Sequence, residues 1–363
     1  MKIARLVSGV YPEVDVNADT GPVGRGDRIV AIDVLRGFAL LGILGANIAV
    51  FDVDGLDGVS SAFDGLVVGA AGAPFLAFML VLVLNKMMAV FSMLFGAGVL
   101  LVVGNLEQKG RSALGIHYVR NLLLMVIGLA HSWLWFGDIL LVYGFCALLL
   151  YPLRHLGVPA LLGSAAAVWA LAFIVSPGSE YEYVVRALAM MLAGMVLFRT
   201  GVITGSRSTD WYRRWAAWSL GMGLPVCSLA WLADDSGLAE DVNNLGVPLV
   251  AFGYVCLVMW VCGADRIPRV RARLAAAGQM ALTNYLMQTV LGMLLVGVLN
   301  EVRGERVTAF WMMVAMLSIW AAQLAWSAPW LRTFRFGPVE WVWRSATYRR
   351  VQPFRFPPQP LPG

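Results

Sequence analysis

Long runs without a charged side chain recur along this chain, and they constrain its fold more than any other feature. A transmembrane α-helix needs about 20 mostly apolar residues, and several runs reach or exceed that length. The clearest cover residues 65–85, 87–106, 242–264, 274–300 and 307–331. The chain is 60% hydrophobic and 13% charged, whereas soluble domains carry about 25% charged residues. Alternating segments of about ten residues, which are typical of membrane barrels, do not occur in these runs. The sequence therefore predicts an all-α fold, a polytopic integral membrane helical bundle.

The distribution of arginine and lysine predicts how the chain crosses the membrane. Basic loops stay in the cytoplasm. Arg25 and Arg28 precede the first run, whereas four aspartates and no basic residue follow it at 52–64. The loops then alternate in charge, which predicts ten crossings with both termini in the cytoplasm. These cover about 29–51, 86–105, 117–136, 138–153, 158–176, 183–199, 212–233, 245–264, 277–300 and 308–326. Residues 65–84 would add a re-entrant or interfacial segment, because a full crossing there would put the basic loop at 109–120 outside.

The segments around this core divide the chain into four regions. Residues 1–28 form a predicted cytoplasmic tail, 29–326 the transmembrane domain, 327–350 a cytoplasmic interfacial segment and 351–363 a Pro-rich disordered tail. The net charge of +5 comes from basic residues at helix ends, so we expect membrane lipids and no nucleic acid as partners. With three histidines and four scattered cysteines, we expect no metal site and no tightly bound cofactor. The sequence does not specify an oligomeric state.

Polar side chains inside apolar runs are costly, so each one marks a functional or a packing requirement. Asp33 and Arg36 open the first run three residues apart, which lets them pair on one helical face. Asn47 lies eleven residues beyond Arg36, close to three helical turns, and shares that face. Two interpretations stay open here: a structural ion pair at the membrane edge, or a polar cavity that receives an anionic ligand.

Arg120, His131 and Asp138 form a second polar group. Arg120 and His131 are also eleven residues apart, and His131 lies in the stretch Gly-Leu-Ala-His-Ser-Trp-Leu-Trp-Phe-Gly-Asp. An unperturbed imidazole titrates near neutral pH, which makes His131 the natural general base of the chain. The Asp138 carboxylate could orient it. The alternative is a core histidine whose ring is satisfied by a neighbouring helix.

Asn284, Gln288 and Lys86 complete the set. Asn284 and Gln288 are four residues apart and stack on one helical face. Amides between membrane helices stabilise packing by about 0.6–2 kcal/mol, and ligand binding is the alternative. Lys86 has no other charge within twenty residues in the sequence. It therefore either extends to the interface or faces a hydrated cavity.

Five stretches, in this order, resemble the YeiB family of bacterial inner-membrane proteins. They are residues 28–48, 86–98, 128–140, 279–288 and 336–348, and the resemblance covers about residues 28–350. The family is remotely similar to the transmembrane acyltransferases, which include the heparan-glucosaminide acetyltransferase and bacterial enzymes that acylate surface sugars. The resemblance implies that acyl-CoA is a co-substrate on the cytoplasmic side. Its acyl group would move to a hydroxyl or amine of a small-molecule or glycan acceptor at the outer side.

The same resemblance implies roles for the polar residues. His131 would act as the base and Asp138 would orient it. The CoA phosphates would bind Arg28, Arg36 and Arg120. Substrate contacts would come from Asp33, Asn47, Lys86, Asn284 and Gln288. Two other classes of protein stay open: a small-molecule transporter or exporter, and a non-catalytic membrane protein that binds a lipid or a partner protein.

Overall fold

The computed structural model describes residues 30–51, 53, 55, 71–174, 180–231, 236–304 and 306–356. This part of the chain is largely helical and contains no β-strand; its one isolated bridge joins Phe334 to Arg355. The helices are α1 (Val30–Ile48), α2 (Gly72–Phe78), α3 (Lys86–Gln108), α4 (Ala113–Ser132), α5 (Leu140–Leu153), α6 (Val158–Leu171), α7 (Glu180–Arg199), α8 (Thr209–Trp231), α9 (Ser236–Gly263), α10 (Pro268–Gln279), α11 (Ala281–Arg303), α12 (Ala309–Thr333) and α13 (Pro338–Thr347). The predicted all-α fold is confirmed.

Seven helical stretches of the described chain are long and apolar enough to cross a membrane. They are Val30–Ile48, Gly72–Gln108, Ala113–Ser132, Tyr181–Arg199, Gly237–Gly263, Ala281–Arg303 and Ala309–Thr333. Each overlaps a predicted crossing, and Gly72–Gln108 also includes most of the predicted re-entrant or interfacial segment at 65–84. The other three predicted crossings correspond to α5 and α6, which are apolar but shorter, and to α8, whose first turns carry Asp210, Arg213 and Arg214. The protein is therefore a helical membrane protein, and the number of ten crossings stays a prediction.

The longest apolar stretch, at 72–108, is broken in the middle. α2 continues into a turn of π-helix at Met79–Val83, and Asn85 then adopts a left-handed conformation with φ of +64°. Asparagine tolerates this conformation better than most residues. The break redirects the chain, so that α3 begins at Lys86. α2 and the π turn belong to the predicted re-entrant or interfacial segment at 65–84, whose depth in the membrane stays a prediction.

α1 is the central helix of the bundle. It packs against α3, α9, α10, α11 and α12, and its Leu35, Leu40 and Leu44 side chains are fully buried. α1 and α10 approach closely through Gly37 and Gly278, because a Cβ on either glycine would overlap a backbone carbonyl of the facing helix. This contact between small residues is typical of membrane helices. It places the Arg36 guanidinium beside the end of α10.

The C-terminal segment folds back onto the bundle. α12 continues to Thr333, so its last turns lie within the predicted interfacial segment 327–350. The Phe354 ring packs against Phe334 at 4.6 Å and against Trp341 at 5.1 Å, and Arg335 N–H donates to the Phe354 carbonyl at 2.8 Å. The buried Gln352 and the Phe354 ring therefore hold residues 351–356, which the sequence assigns to a disordered tail, against the end of α12 and against α13. Residues 357–363 lie outside the described residues.

Candidate functional site

His131 is held on both ring nitrogens at the last turn of α4. Its Nδ1 lies 2.7 Å from Asp138 Oδ1, and its Nε2 lies 3.0 Å from Thr289 Oγ1 of α11. The imidazole and the carboxylate are 3% and 2% exposed, and Thr289 is fully buried. Because an ionised carboxylate only accepts hydrogen bonds, the arrangement assigns the proton to Nδ1 and leaves the Nε2 lone pair facing a hydroxyl. A carboxylate, an imidazole and a hydroxyl thus form one hydrogen-bonded chain.

The turn between α4 and α5 positions Asp138. Its second carboxylate oxygen accepts the Leu141 N–H at 2.9 Å, so the side chain caps the first turn of α5. Gly128 on α4 leaves room for this crossing, because a Cβ at that position would lie 2.8 Å from Asp138 Oδ2. Local sequence therefore builds the acidic half of the site, as the seven-residue separation from His131 predicts.

Aromatic rings enclose the imidazole. The Tyr285 ring centroid lies 5.3 Å from that of His131, and the Trp135 centroid lies 6.2 Å from it. The Tyr285 hydroxyl accepts the Ile139 N–H at 3.3 Å. Tyr285 and Thr289 are four residues apart on α11 and present the same face to α4. Sequence reasoning missed Thr289, because its contact with His131 joins residues 158 positions apart.

Three half-buried arginines form a basic group, here called the arginine cluster: Arg36, Arg120 and Arg344. The Arg120 guanidinium carbon lies 4.4 Å from the Trp343 ring centre, and Trp343 Nε1 donates to the Arg120 carbonyl at 2.9 Å. Arg36 and Arg344 are near enough to repel the Arg120 charge. No carboxylate within the described ranges lies within ion-pair distance of Arg120.

Asp33 partly neutralises the arginine cluster. Arg36 Nη1 donates to Asp33 Oδ1 at 2.9 Å and to the Gly278 carbonyl at 3.4 Å. The structure thus brings together two of the three predicted phosphate ligands, Arg36 and Arg120, while Arg28 lies outside the described residues. It adds Arg344, which the sequence did not single out because α13 is distant from α4 in the chain.

Asn284 and Gln288 belong to an amide ladder between α11 and α12, defined here as Asn284, Gln288, Gln323 and Ser327. Gln288 Nε2 donates to Gln323 Oε1 at 2.9 Å, and Gln323 Nε2 donates to the Asn284 carbonyl at 2.8 Å. Asn284 Nδ2 donates to Ser327 Oγ at 3.1 Å. These bonds correspond to the packing interpretation of Asn284 and Gln288. Two of the three amides keep a buried oxygen, Asn284 Oδ1 and Gln288 Oε1, that accepts no hydrogen bond from the described residues.

Lys86 and Asn47 are not hydrogen-bonded to the histidine site. The Lys86 side chain is fully buried rather than extended to an interface, and its Nζ donates to the Leu80 carbonyl and to Asn243 Oδ1, both at 2.5 Å. It joins the π turn to α9 across the break at Asn85. The half-buried Asn47 side chain makes no hydrogen bond to the described residues. Within the same residues, no group of three or more His, Cys, Asp or Glu side chains could hold a metal ion.

Comparisons with known proteins identify relatives along most of the chain. Residues 197–350 match the family model described as a protein of unknown function, DUF418. The uncharacterized protein YeiB of Escherichia coli K12 is 30% identical, over 90% of this chain and 98% of its own length. YxaH of Bacillus subtilis is 27% identical, over 92% of this chain and 97% of its own. A 39.9 kDa protein from the amylase 3′ region of Bacillus acidopullulyticus is 28% identical, with the same coverage of 92% and 97%.

No solved structure matches the fold. The identity to YeiB extends over nearly the whole of both chains, which agrees with the family that the five sequence stretches predict. The chain belongs to the YeiB family of bacterial membrane proteins.

Proposed function

We propose that this protein transfers an acyl group from acyl-CoA to a hydroxyl or amine acceptor. The observation that carries the proposal is the imidazole of His131, fixed by a carboxylate on one nitrogen and facing a hydroxyl with the other. This is the arrangement of a general base in acyl transfer, in which the base removes a proton from the attacking group. Asp138 fixes the ring orientation and stabilises the imidazolium that forms.

The arginine cluster is the proposed donor site. CoA carries several phosphate groups, and guanidinium groups bind phosphate through paired, charge-assisted hydrogen bonds. Arg120 and His131 lie on the same continuous helix, α4, eleven residues apart. At about 1.5 Å per residue they are separated by about 16 Å along the axis. A pantetheine arm extending from phosphates held at Arg120 has this distance to cover before its thioester reaches His131.

The charge alternation of the loops supports a direction for the transfer. It puts the arginine cluster at the cytoplasmic end of α4 and His131 towards the outer side. Donor and acceptor then approach from opposite faces of a bacterial inner membrane, with both protein termini in the cytoplasm. The acceptor is a small molecule or a glycan with a free hydroxyl or amine.

A second candidate function, small-molecule transport, is favoured by one observation. The fully buried Lys86 lies directly after the broken helix at Asn85. Broken helices and buried charges mark substrate sites in many transporters. Protein reconstituted into liposomes tests this function by uptake or export of a small molecule. Transport that Lys86→Ala abolishes and His131→Ala leaves unchanged would support it over acyl transfer.

The test of acyl transfer uses detergent-purified protein with acetyl-CoA and CoA. We expect wild type to bind both compounds, and Arg120→Ala to weaken binding about 10-fold or more through the loss of a charge-assisted contact. Arg213→Ala is the matched control, because Arg213 is 62% exposed and pairs with Asp210 on α8. His131→Ala should keep binding but lower thioester turnover by about 10²–10⁴-fold. Folded wild-type protein that binds neither compound would refute the proposal.

A further inference from the structure

The hydroxyl of Thr289 is hydrogen-bonded to a histidine nitrogen, and within the described residues no other helical serine or threonine hydroxyl is. We propose that Thr289 is a catalytic residue that carries the acyl group covalently between donor and acceptor. The inference rests on the proposed acyl transfer and specifies its mechanism: two successive transfers through an enzyme ester, rather than one direct transfer.

The geometry is that of an activated nucleophile. Thr289 Oγ1 lies 3.0 Å from His131 Nε2, and His131 Nδ1 lies 2.7 Å from Asp138 Oδ1. Both distances fall in the range expected for a nucleophile with its base and for a base with its orienting carboxylate. The three side chains come from α4, the turn after it and α11, so the contact is built by tertiary packing.

The hydroxyl of Thr289 is directed away from its own helix. Serine and threonine in helices commonly donate to the carbonyl four residues earlier. Among the described residues, four helical side chains do so at 2.7–2.9 Å, namely Ser228, Ser318, Ser327 and Thr347, and Thr200 does so directly after α7. Thr289 has no such bond, and within the described residues its one hydrogen-bond partner is His131. The side chain thus forgoes the usual local bond and keeps its proton available to the imidazole.

The two half-reactions balance without another reactant. In the first, Thr289 Oγ1 attacks the thioester carbonyl carbon, a C–O bond forms and the C–S bond breaks. The hydroxyl proton passes to His131 Nε2 and then to the departing CoA thiolate. In the second, His131 Nε2 takes a proton from the acceptor, the acceptor atom bonds to the acyl carbon and the bond to Oγ1 breaks. The proton returns to Thr289 Oγ1.

Burial of the site suits an ester intermediate. His131, Asp138 and Thr289 are all nearly inaccessible to water, which protects an acylated enzyme from hydrolysis. A covalent intermediate also lets CoA leave towards its own side before the acceptor is engaged. Donor and acceptor therefore need not occupy this confined space at the same time.

The test is isotope exchange without an acceptor. Detergent-purified protein is mixed with acetyl-CoA and labelled CoA, and label entering acetyl-CoA is measured. An enzyme ester allows this exchange, whereas direct transfer does not. We expect exchange by wild type and by Thr289→Ser, and a loss of about 10³-fold or more in the isosteric Thr289→Val. Ser92→Ala is the control, because Ser92 is also fully buried but bonds to Tyr143 at 2.7 Å.

A second measurement does not depend on any variant. Acid-quenched wild type after incubation with acetyl-CoA should carry one acetyl group on the peptide that contains Thr289. Wild type that turns over acetyl-CoA but shows neither exchange nor this adduct would overturn the inference and leave acyl transfer standing. Thr289→Val with wild-type turnover would do the same. Folded wild type that neither binds nor turns over acetyl-CoA would overturn both proposals.

Discussion

Glu340 of α13 caps the first turn of α11, and its removal should destabilise the whole bundle. The carboxylate accepts the Leu282 N–H at 2.7 Å, the Thr283 N–H at 3.0 Å and the Thr283 hydroxyl at 2.5 Å. The first N–H groups of a helix have no partner inside it. Glu340→Ala therefore leaves two buried backbone donors without an acceptor. At about 1–3 kcal/mol for each, we expect the free energy of unfolding to fall by about 2–6 kcal/mol.

Equilibrium unfolding in mixed detergent micelles, followed by tryptophan fluorescence, measures this loss. Glu107→Ala is the control, because the Glu107 carboxylate is 49% exposed and its contact with Arg154 is long, at 3.4 Å. Exposed pairs of this kind contribute at most about 1 kcal/mol. If Glu340→Ala and Glu107→Ala lower the free energy of unfolding by the same small amount, the cap does not stabilise α11 and the reasoning is wrong.

The pH dependence gives a second and independent check. Burial raises the pKa of Glu340, and the hydrogen bonds from Thr283 and Leu282 oppose the rise only in part. The folded state therefore binds this proton more tightly than the unfolded state. The contribution of Glu340 to the free energy of unfolding is therefore complete at a pH below the ordinary glutamate pKa. It is lost as the pH rises through the raised pKa of the folded state. Relative to Glu340→Gln, which cannot ionise, wild type should lose stability over that window; a relative gain would mean that the hydrogen bonds outweigh burial.

Three further predictions test the site and the packing. Asp138→Asn should lower acetyl-CoA turnover by about 10³–10⁴-fold in folded protein, because the amide no longer fixes the imidazole tautomer. Turnover near the wild-type rate would exclude Asp138 as the orienting group. Gly194→Val should destabilise the bundle by about 3 kcal/mol or more in the same unfolding assay, because the Cβ overlaps a backbone carbonyl of α3, whereas Gly98→Ala meets open space and should be neutral. Trp343→Ala should weaken CoA binding, measured by titration, because the ring that holds Arg120 is lost. Unchanged affinity would mean that Arg120, as Trp343 holds it, does not bind CoA.

Short-range pairs were predictable from sequence, whereas contacts between distant helices were not. Asp33 and Arg36 are three residues apart and His131 and Asp138 seven, and the structure contains both contacts. Thr289 meets His131 across 158 positions, which periodicity within one helix cannot reveal. The length of the apolar runs predicted the spans, because every helix that crosses the bilayer needs about 20 mostly apolar residues.

The sequence did not predict the helix break at Met280, for a related reason. Residues 274–300 read as one uncharged run, but the structure divides this region into α10 and α11 at Met280. No charge or proline marks the division. It follows from the close contact of Gly278 with α1 and from the cap that Glu340 supplies to α11, and both are tertiary effects.

α11 connects the arginine cluster to the site around His131. Its first turn is capped by Glu340, and Arg344 of the arginine cluster lies four residues later on the same short helix, α13. One face of α11 is locked to α12 by the amide ladder, and the adjoining face presents Thr289 to His131. Release of α13 should therefore disturb the arginine cluster, which is the proposed donor site, together with the position of the hydroxyl. Loss of Glu340 should lower donor affinity and turnover in parallel, whereas loss of His131 affects turnover alone.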